Sequence, residues 1–389
     1  MINATQLNYS PDKFVDREEE LTELEQRARA LLEGRNGHGV LIFIGERGVG
    51  KTWLRAHWRE QLRRQKVPMV WIDLREYTGK DPTWAVADII RKVSTATKGP
   101  DEGLGADLAE MSRNLFAHLR KTLLQEKGFI LFIDHVYESE WAMLPLLEDY
   151  LLAPLSVEPR VLIALAGRGR LYPWKTPELG VKANLIEVKP FSDLRFTQWQ
   201  LERQAPQAVG EAPEIHTITR GNPLANYLLA LRGVNTGLDW SLEGLLATIP
   251  EDHRRKVREY VEALCVLRDF DEERIPAMLA IYYDDPSYQN WMYAQARRIR
   301  EELVRWALAH WDTEKRSYVL DRIIRDIAEQ FLRQQRPDKW EALQKAAFNL
   351  YTRWTQEYPR TRERWQQEAK YHQQQLQMTP DQSPVEKRD

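Results

Sequence analysis

Residues 39–58 read GVLIFIGERGVGKTWLRAHW, and this stretch decides the fold class. An unbroken apolar run at 40–44 is followed by a glycine-rich turn and then by a helix start, the pattern of a fully buried parallel strand, a loop and a helix. Inside it, GERGVGKT meets the spacing GxxxxGK[ST] through Gly45, Gly50, Lys51 and Thr52. Glycines let such a loop turn so that the backbone N–H groups of Gly45, Glu46, Arg47, Gly48, Val49 and Gly50 surround phosphate oxygens at a helix N-terminus, where the helix dipole favours anions. Lys51 would then reach the β-phosphate of ADP or the β- and γ-phosphates of ATP, and the Thr52 hydroxyl would take a Mg²⁺ position. A chance glycine turn is the alternative, and the flanking strand and helix argue against it.

Working outward, three more buried-strand patterns lie at 69–74, Phe129–Asp134 and Val161–Ala166, with a weaker one at 185–188, all separated by helical patterns. Alternation of this kind predicts a parallel α/β sheet with flanking helices. Ahead of it, Asp16 and Glu19 have capping-box spacing before a helix that ends near Glu33. In GFILFIDHVYE the aspartate follows five apolar residues, so Asp134 is expected at a strand end beside the Mg²⁺ water shell; a turn role there is the alternative. His135 occupies the next position, and an imidazole can accept a proton near neutrality. It is therefore the candidate base, with slow hydrolysis expected and Glu138 and Glu140 as fallbacks. Gly167-Arg168-Gly169-Arg170 follows another strand, and Arg168 is the candidate γ-phosphate contact, against the alternative of a solvated turn.

After Pro190 the strands stop and helical periodicity takes over. Breaks are expected at Arg220-Gly221-Asn222-Pro223 and at 233–237. The stretch 310–320 reads as a hairpin between helices, the arrangement of a winged helix. Trp340, Leu343, Ala347, Leu350 and Trp354 share one helical stripe, and Trp365, Ala369, His372 and Leu376 share a second, giving a helical hairpin that serves either as a cap or as a docking element. The expected organisation is an N-terminal helical segment at 1–35, a P-loop NTPase core at 36–190, an all-α lid at 191–248, a winged helix at 249–335, a C-terminal helical hairpin at 336–378 and a disordered tail at 379–389.

Composition narrows the classes. With 56 Lys and Arg against 58 Asp and Glu, the net charge of −2 gives no global field for nucleic acid. No apolar run approaches the ~20 residues of a spanning helix, so no membrane partner is expected. The single cysteine, Cys265, cannot form an internal disulfide, and the eight histidines show no zinc spacing; a reducing cytoplasm fits. Fourteen tryptophans suggest a stacking surface, but those at 340, 354 and 365 sit on apolar stripes, where core packing explains them.

Taken together the motifs resemble the STAND NTPases, a class of signal-transduction ATPases, over about 14–331. Phe14-Val15-Asp16-Arg17-Glu18 looks like their opening motif, GERGVGKT their Walker A, ILFIDH their Walker B, ALAGRGR their sensor strand, and TRGNPLA at 219–225 their Gly-x-Pro lid motif. The resemblance implies that Val15 and Arg17 lie on the adenine side and that Pro223 touches the base. It also implies a switch between a closed ADP form and an open ATP form that assembles into a homo-oligomer. No effector motif is visible in the chain, so a separate effector protein is implied. Two residues depart from the pattern: Asp16 stands where the motif has glycine, and Asp321 stands where many members have a phosphate-contacting histidine. An aspartate tolerates a left-handed backbone but repels phosphate. The second reading is a DNA-acting AAA+ ATPase of the origin-recognition or transposition-loader type. Its support is the basic runs at 253–256 and 297–300 and the nine Lys or Arg against five Asp or Glu at 331–370, which solvated helix faces also explain.

Overall fold

A computed structural model describes residues 9–33, 39–99, 103–126, 128–137, 142–168 and 171–377. The chain divides into two compact units, Tyr9–Lys189 and a second that begins at Pro190.

In the first unit, α1 (Glu18–Leu32) precedes β1 (Gly39–Ile44), α2 (Lys51–Arg64), β2 (Met69–Asp73), α3 (Pro82–Ala96), α4 (Leu108–Glu126) and β3 (Phe129–Asp134). Then come α5 (Leu144–Leu147), a π-helical turn at Glu148–Leu152, α6 (Ala153–Ser156), β4 (Val161–Ala166) and β5 (Asn184–Glu187). The strands form one parallel sheet in the order β2-β3-β4-β1-β5. Alternate residues of each strand feed opposite layers. Leu41, Phe43, Ile130 and Phe132 pack with Leu24, Leu31, Leu54 and Trp58 of α1 and α2. Val40, Ile42, Leu131 and Ile133 pack with Ile89, Ile90, Leu115 and Leu119 of α3 and α4. Burial on both faces is why these strands read as unbroken apolar runs rather than as alternating ones. β5 lies at an edge and buries only Ile186, which accounts for its weaker signal.

The expected capping box at Asp16 is not formed. Arg17 is the N-cap of α1, in left-handed conformation with φ 88°, and no side chain caps the helix. Asp16 is itself left-handed at φ 65°. Two successive left-handed residues steer the chain into α1 at an angle that an extended N-cap would not allow.

The second unit contains α7 (Leu194–Gln204), α8 (Ala212–Thr219), α9 (Pro223–Arg232), α10 (Val234–Leu246), α11 (Glu251–Leu264), α12 (Arg274–Tyr282) and α13 (Tyr293–Arg305). A hairpin of β6 (Ala309–Asp312) and β7 (Ser317–Leu320) follows, then α14 (Arg322–Gln335), α15 (Pro337–Glu357) and α16 (Arg362–Gln377). The break expected across 233–237 is confined to Gly233, because α10 runs through Gly237. The hairpin expected at 310–320 is antiparallel with Trp311 opposite Tyr318, and Tyr318 also exchanges backbone hydrogen bonds with Phe270 at 2.7 and 2.9 Å.

α15 and α16 share the core of α11, α12 and α14, so the helical hairpin caps the preceding helices. Arg274 is buried with its guanidinium 5.7, 5.4 and 5.2 Å from the ring centres of Tyr351, Trp354 and Trp365. Arg268 clamps Glu368 with bonds of 2.9 and 2.6 Å. Trp340, Trp354 and Trp365 are all buried, in line with core packing. The tail at 379–389 lies outside the described residues.

Candidate functional site

The glycine-rich loop leaves β1 in the interior of the sheet, between β4 and β5. Gly45 has φ 143°, and a Cβ there would meet the Val188 carbonyl oxygen at 2.3 Å, so only glycine fits. Gly48 and Gly50 are left-handed at φ 78° and 97°, and Gly50 is the N-cap of α2. Lys51, the first residue of that helix, folds its side chain back over the loop. Its Nζ donates to the carbonyl oxygens of Gly45 at 2.6 Å and Glu46 at 2.9 Å. Val49 and Arg47 are buried beneath the turn, while Thr52 is exposed. A helix N-terminus of fourteen residues, glycines that admit close approach and an ammonium over the loop together fit a phosphate chain.

Arg17 braces this loop from behind. It is buried, and its Nη2 donates to the Val49 carbonyl oxygen at 2.7 Å. Val15 is buried two residues before it. The structure therefore places Arg17 on the backbone of the loop, a position from which it holds the loop's shape.

The acidic corner at the ends of β2 and β3 is built differently. Asp73 and Asp134 are register partners at the carboxyl ends of neighbouring strands. Asp134 is buried; its Oδ2 accepts from Arg55 Nη2, and its Oδ1 accepts from the His135 backbone N–H at 2.8 Å. The same Arg55 Nη2 lies 3.4 Å from the Thr52 hydroxyl oxygen. Burial pushes the Asp134 carboxyl up, but the Arg55 charge and the His135 contacts outweigh it and hold the group below its ordinary range. Asp73 behaves alike: burial opposes ionisation, yet His135 and Arg75 hold its carboxyl well down.

His135 adopts φ 58°, a left-handed backbone uncommon outside glycine. Its Nδ1 is 3.0 Å from Asp73 Oδ1 and 3.4 Å from Asp134 Oδ1, ion-pair distances without in-line hydrogen-bond geometry. The imidazole is thus oriented by two carboxylates. Arg168 lies two residues past the end of β4, at the same carboxyl edge of the sheet as the loop. Glu138, Glu140, Gly169 and Arg170 lie outside the described residues.

Lys51, Thr52, Asp134 and His135 lie at the carboxyl edge of the sheet. Mg²⁺ at Thr52 and Asp134 does not fit the arrangement, because the Arg55 guanidinium stands between the two oxygens that would receive it. Sequence reasoning missed Arg55, Asp73 and Arg75. A signal for the first existed: Arg55 lies three residues after Thr52 and four after Lys51, on the same helix face. Asp73 ends an apolar strand just as Asp134 does.

Pro223 belongs to the second unit, where it opens α9. Asn222 caps that helix by accepting from the Ala225 N–H at 3.1 Å, and the Pro223 carbonyl accepts from Gln200 Nε2 at 2.7 Å. Gly221 has φ 75°, and a Cβ there would meet the Phe191 carbonyl oxygen at 2.1 Å. Asn226 donates to Thr197 Oγ1 at 3.2 Å and Gln200 Oε1 at 3.0 Å, so a buried polar network fixes the turn. Asp321 is the N-cap of α14, its backbone N–H donating to the Leu308 carbonyl at 2.7 Å.

Residues 13–163 match the AAA ATPase domain family. The match spans the loop, β3 and the start of β4. No curated protein matches the chain. Among solved structures, the chain is similar to the Aeropyrum pernix ORC1 protein in complex with DNA at 15% identity and TM-score 0.42, covering 84% of this chain and 95% of that one. It is also similar to the Thermotoga maritima RuvB Holliday junction branch migration motor at 17% identity and TM-score 0.41, covering 80% and 94%. Cdc6p from Pyrobaculum aerophilum gives 17% identity and TM-score 0.40, covering 83% and 98%. No helix among the described residues is long and apolar enough to cross a membrane.

Proposed function

We propose that this chain is an ATP- and ADP-binding switch of the STAND kind, which holds nucleotide on the loop at 45–52, hydrolyses it slowly and passes its state to a homo-oligomer or a separate effector protein. The observation that carries the reading is the contrast inside the site. The phosphate cradle is complete, while Asp134 is tied to Arg55 and the position after it holds a histidine turned toward Asp73. Such a site favours retention over turnover. Lys51, Arg168 and the loop N–H groups face the phosphates, His135 is the base with its ring oriented by two carboxylates, and Arg17 keeps the loop in shape.

The test is to measure steady-state hydrolysis and, by light scattering, the mass of the protein with ADP, ATP and a non-hydrolysable ATP analogue. Turnover below ~1 per second with a mass that differs between ADP and ATP is expected. Fast turnover with an unchanged mass would remove the switch reading.

A DNA-acting AAA+ ATPase is the second reading, and the AAA ATPase domain match supports it equally. Against it, several arginines of the second unit's basic runs are internally engaged. Arg254 donates to the carbonyls of Ile249 and Ala247, Arg297 pairs with Glu301, and Arg300 pairs with Glu272.

A further inference from the structure

Arg55 is a cation built into the place where a P-loop site ordinarily takes its divalent ion. It is 1% exposed, on the first turns of α2. Four contacts fix it: Nη2 donates to Asp134 Oδ2, the same nitrogen lies 3.4 Å from Thr52 Oγ1, Nε donates to the Lys51 carbonyl at 3.2 Å, and the guanidinium lies 5.1 Å from the centre of the Trp71 ring. A guanidinium does not shed its proton at any accessible pH, so this charge cannot be switched off to admit another cation. Each oxygen of Asp134 already accepts one hydrogen bond, Oδ2 from Arg55 and Oδ1 from the His135 N–H. Mg²⁺ needs near-octahedral oxygen ligands at short range, and here it would sit against a fixed positive charge with its carboxylate already neutralised.

We propose that the Arg55 guanidinium takes the place of the divalent cation between Thr52 and Asp134, so that this chain binds ADP and ATP in their metal-free form. The inference rests on the nucleotide reading above and narrows its ligand. Charge on the phosphate chain is met by Lys51, by the N-terminus of α2 and by Arg55. The cost is catalytic: a guanidinium can hydrogen-bond phosphate oxygens but cannot coordinate and activate a water as a dication does, which agrees with a site that retains nucleotide.

Calorimetric titration of the full chain with ADP and ATP, in Mg²⁺ and again in EDTA, tests this directly. Affinities in the two media should agree within about threefold, whereas a site that relies on the ion loses about tenfold or more in EDTA. Arg55→Met keeps the apolar stem and frees Asp134, so Mg²⁺ should then raise affinity by about tenfold. Mn²⁺ paramagnetic resonance supplies a second readout: protein-bound Mn²⁺ should appear with ADP in the variant and not in the wild type. Wild-type binding that collapses in EDTA, or an immobilised Mn²⁺ signal in the wild type, overturns the inference and leaves nucleotide binding standing. No binding in either medium overturns the nucleotide reading itself. The wild-type titrations need no variant, so failure of Arg55→Met to fold would not remove the test.

Discussion

Two parts of one sheet edge face the same candidate ligand and are built on opposite principles. The loop after β1 is shaped by its backbone: three glycines with positive φ, a helix N-terminus and one lysine folded back over the turn. The corner after β2 and β3 is made of side chains: two aspartates, a histidine and an arginine held by mutual charge, with Asp134 and Arg55 both buried. A backbone site depends on conformation and tolerates change in its surroundings. A side-chain site of paired charges is stable only as a whole, because removing one member strands the other away from water.

The sharpest way to break this comparison is Asp134→Ala. It leaves the Arg55 guanidinium buried without its carboxylate, and unfolding by denaturant should show a loss of about 3–5 kcal/mol. A loss near zero would mean that the corner is not a coupled unit. On the loop side, Lys51→Ala should leave stability almost unchanged while abolishing nucleotide affinity, by about a hundredfold or more in a calorimetric Kd, since the loop loses its ammonium but keeps its N–H groups. Unchanged ATP affinity would sink the loop assignment.

His135→Ala should lower the hydrolysis rate by about tenfold with Kd preserved, if the imidazole is the base. Loss of binding instead would make His135 structural. The corner should also set the acid limit of the first unit. Asp73 and Asp134 have folded pKa values below their ordinary 3.8, so their contribution to stability is complete above that value and is lost as pH falls below it. Denaturation midpoints should therefore drop below about pH 4, and the drop should shrink in Asp73→Asn. The smallest expected effect is on DNA: with a net charge of −2 and with Arg297 and Arg300 of its basic runs paired to glutamates, the chain should show no salt-dependent, sub-micromolar binding to duplex DNA by fluorescence anisotropy. Such binding would favour the loader-like AAA+ reading.

Legibility follows range. The strands at 40–44, Phe129–Asp134 and Val161–Ala166 are readable because burial on both faces leaves their interiors apolar. The capping box at Asp16 is a false signal: Asp16 and Glu19 have the right spacing, but the chain enters α1 through a left-handed Arg17 that is bonded to the loop at Val49. The helical hairpin is legible as two stripes, while its role as a cap emerges only from Arg274 lying against the rings of Tyr351, Trp354 and Trp365.

What the sequence determined by itself is the set of local devices: the phosphate loop with its obligatory glycines, the strands that carry it, the acid at the end of β3 and the helical second half. These follow from one segment's own conformational limits and apolar pattern, so no distant residue has to be known. The strand order β2-β3-β4-β1-β5, and with it the meeting of Asp73, Asp134, His135 and Arg55, was decided by the tertiary structure alone. A buried charge gains its meaning from whatever lies within a few ångströms of it, and Arg55 and Asp134 are separated by 79 positions in the chain.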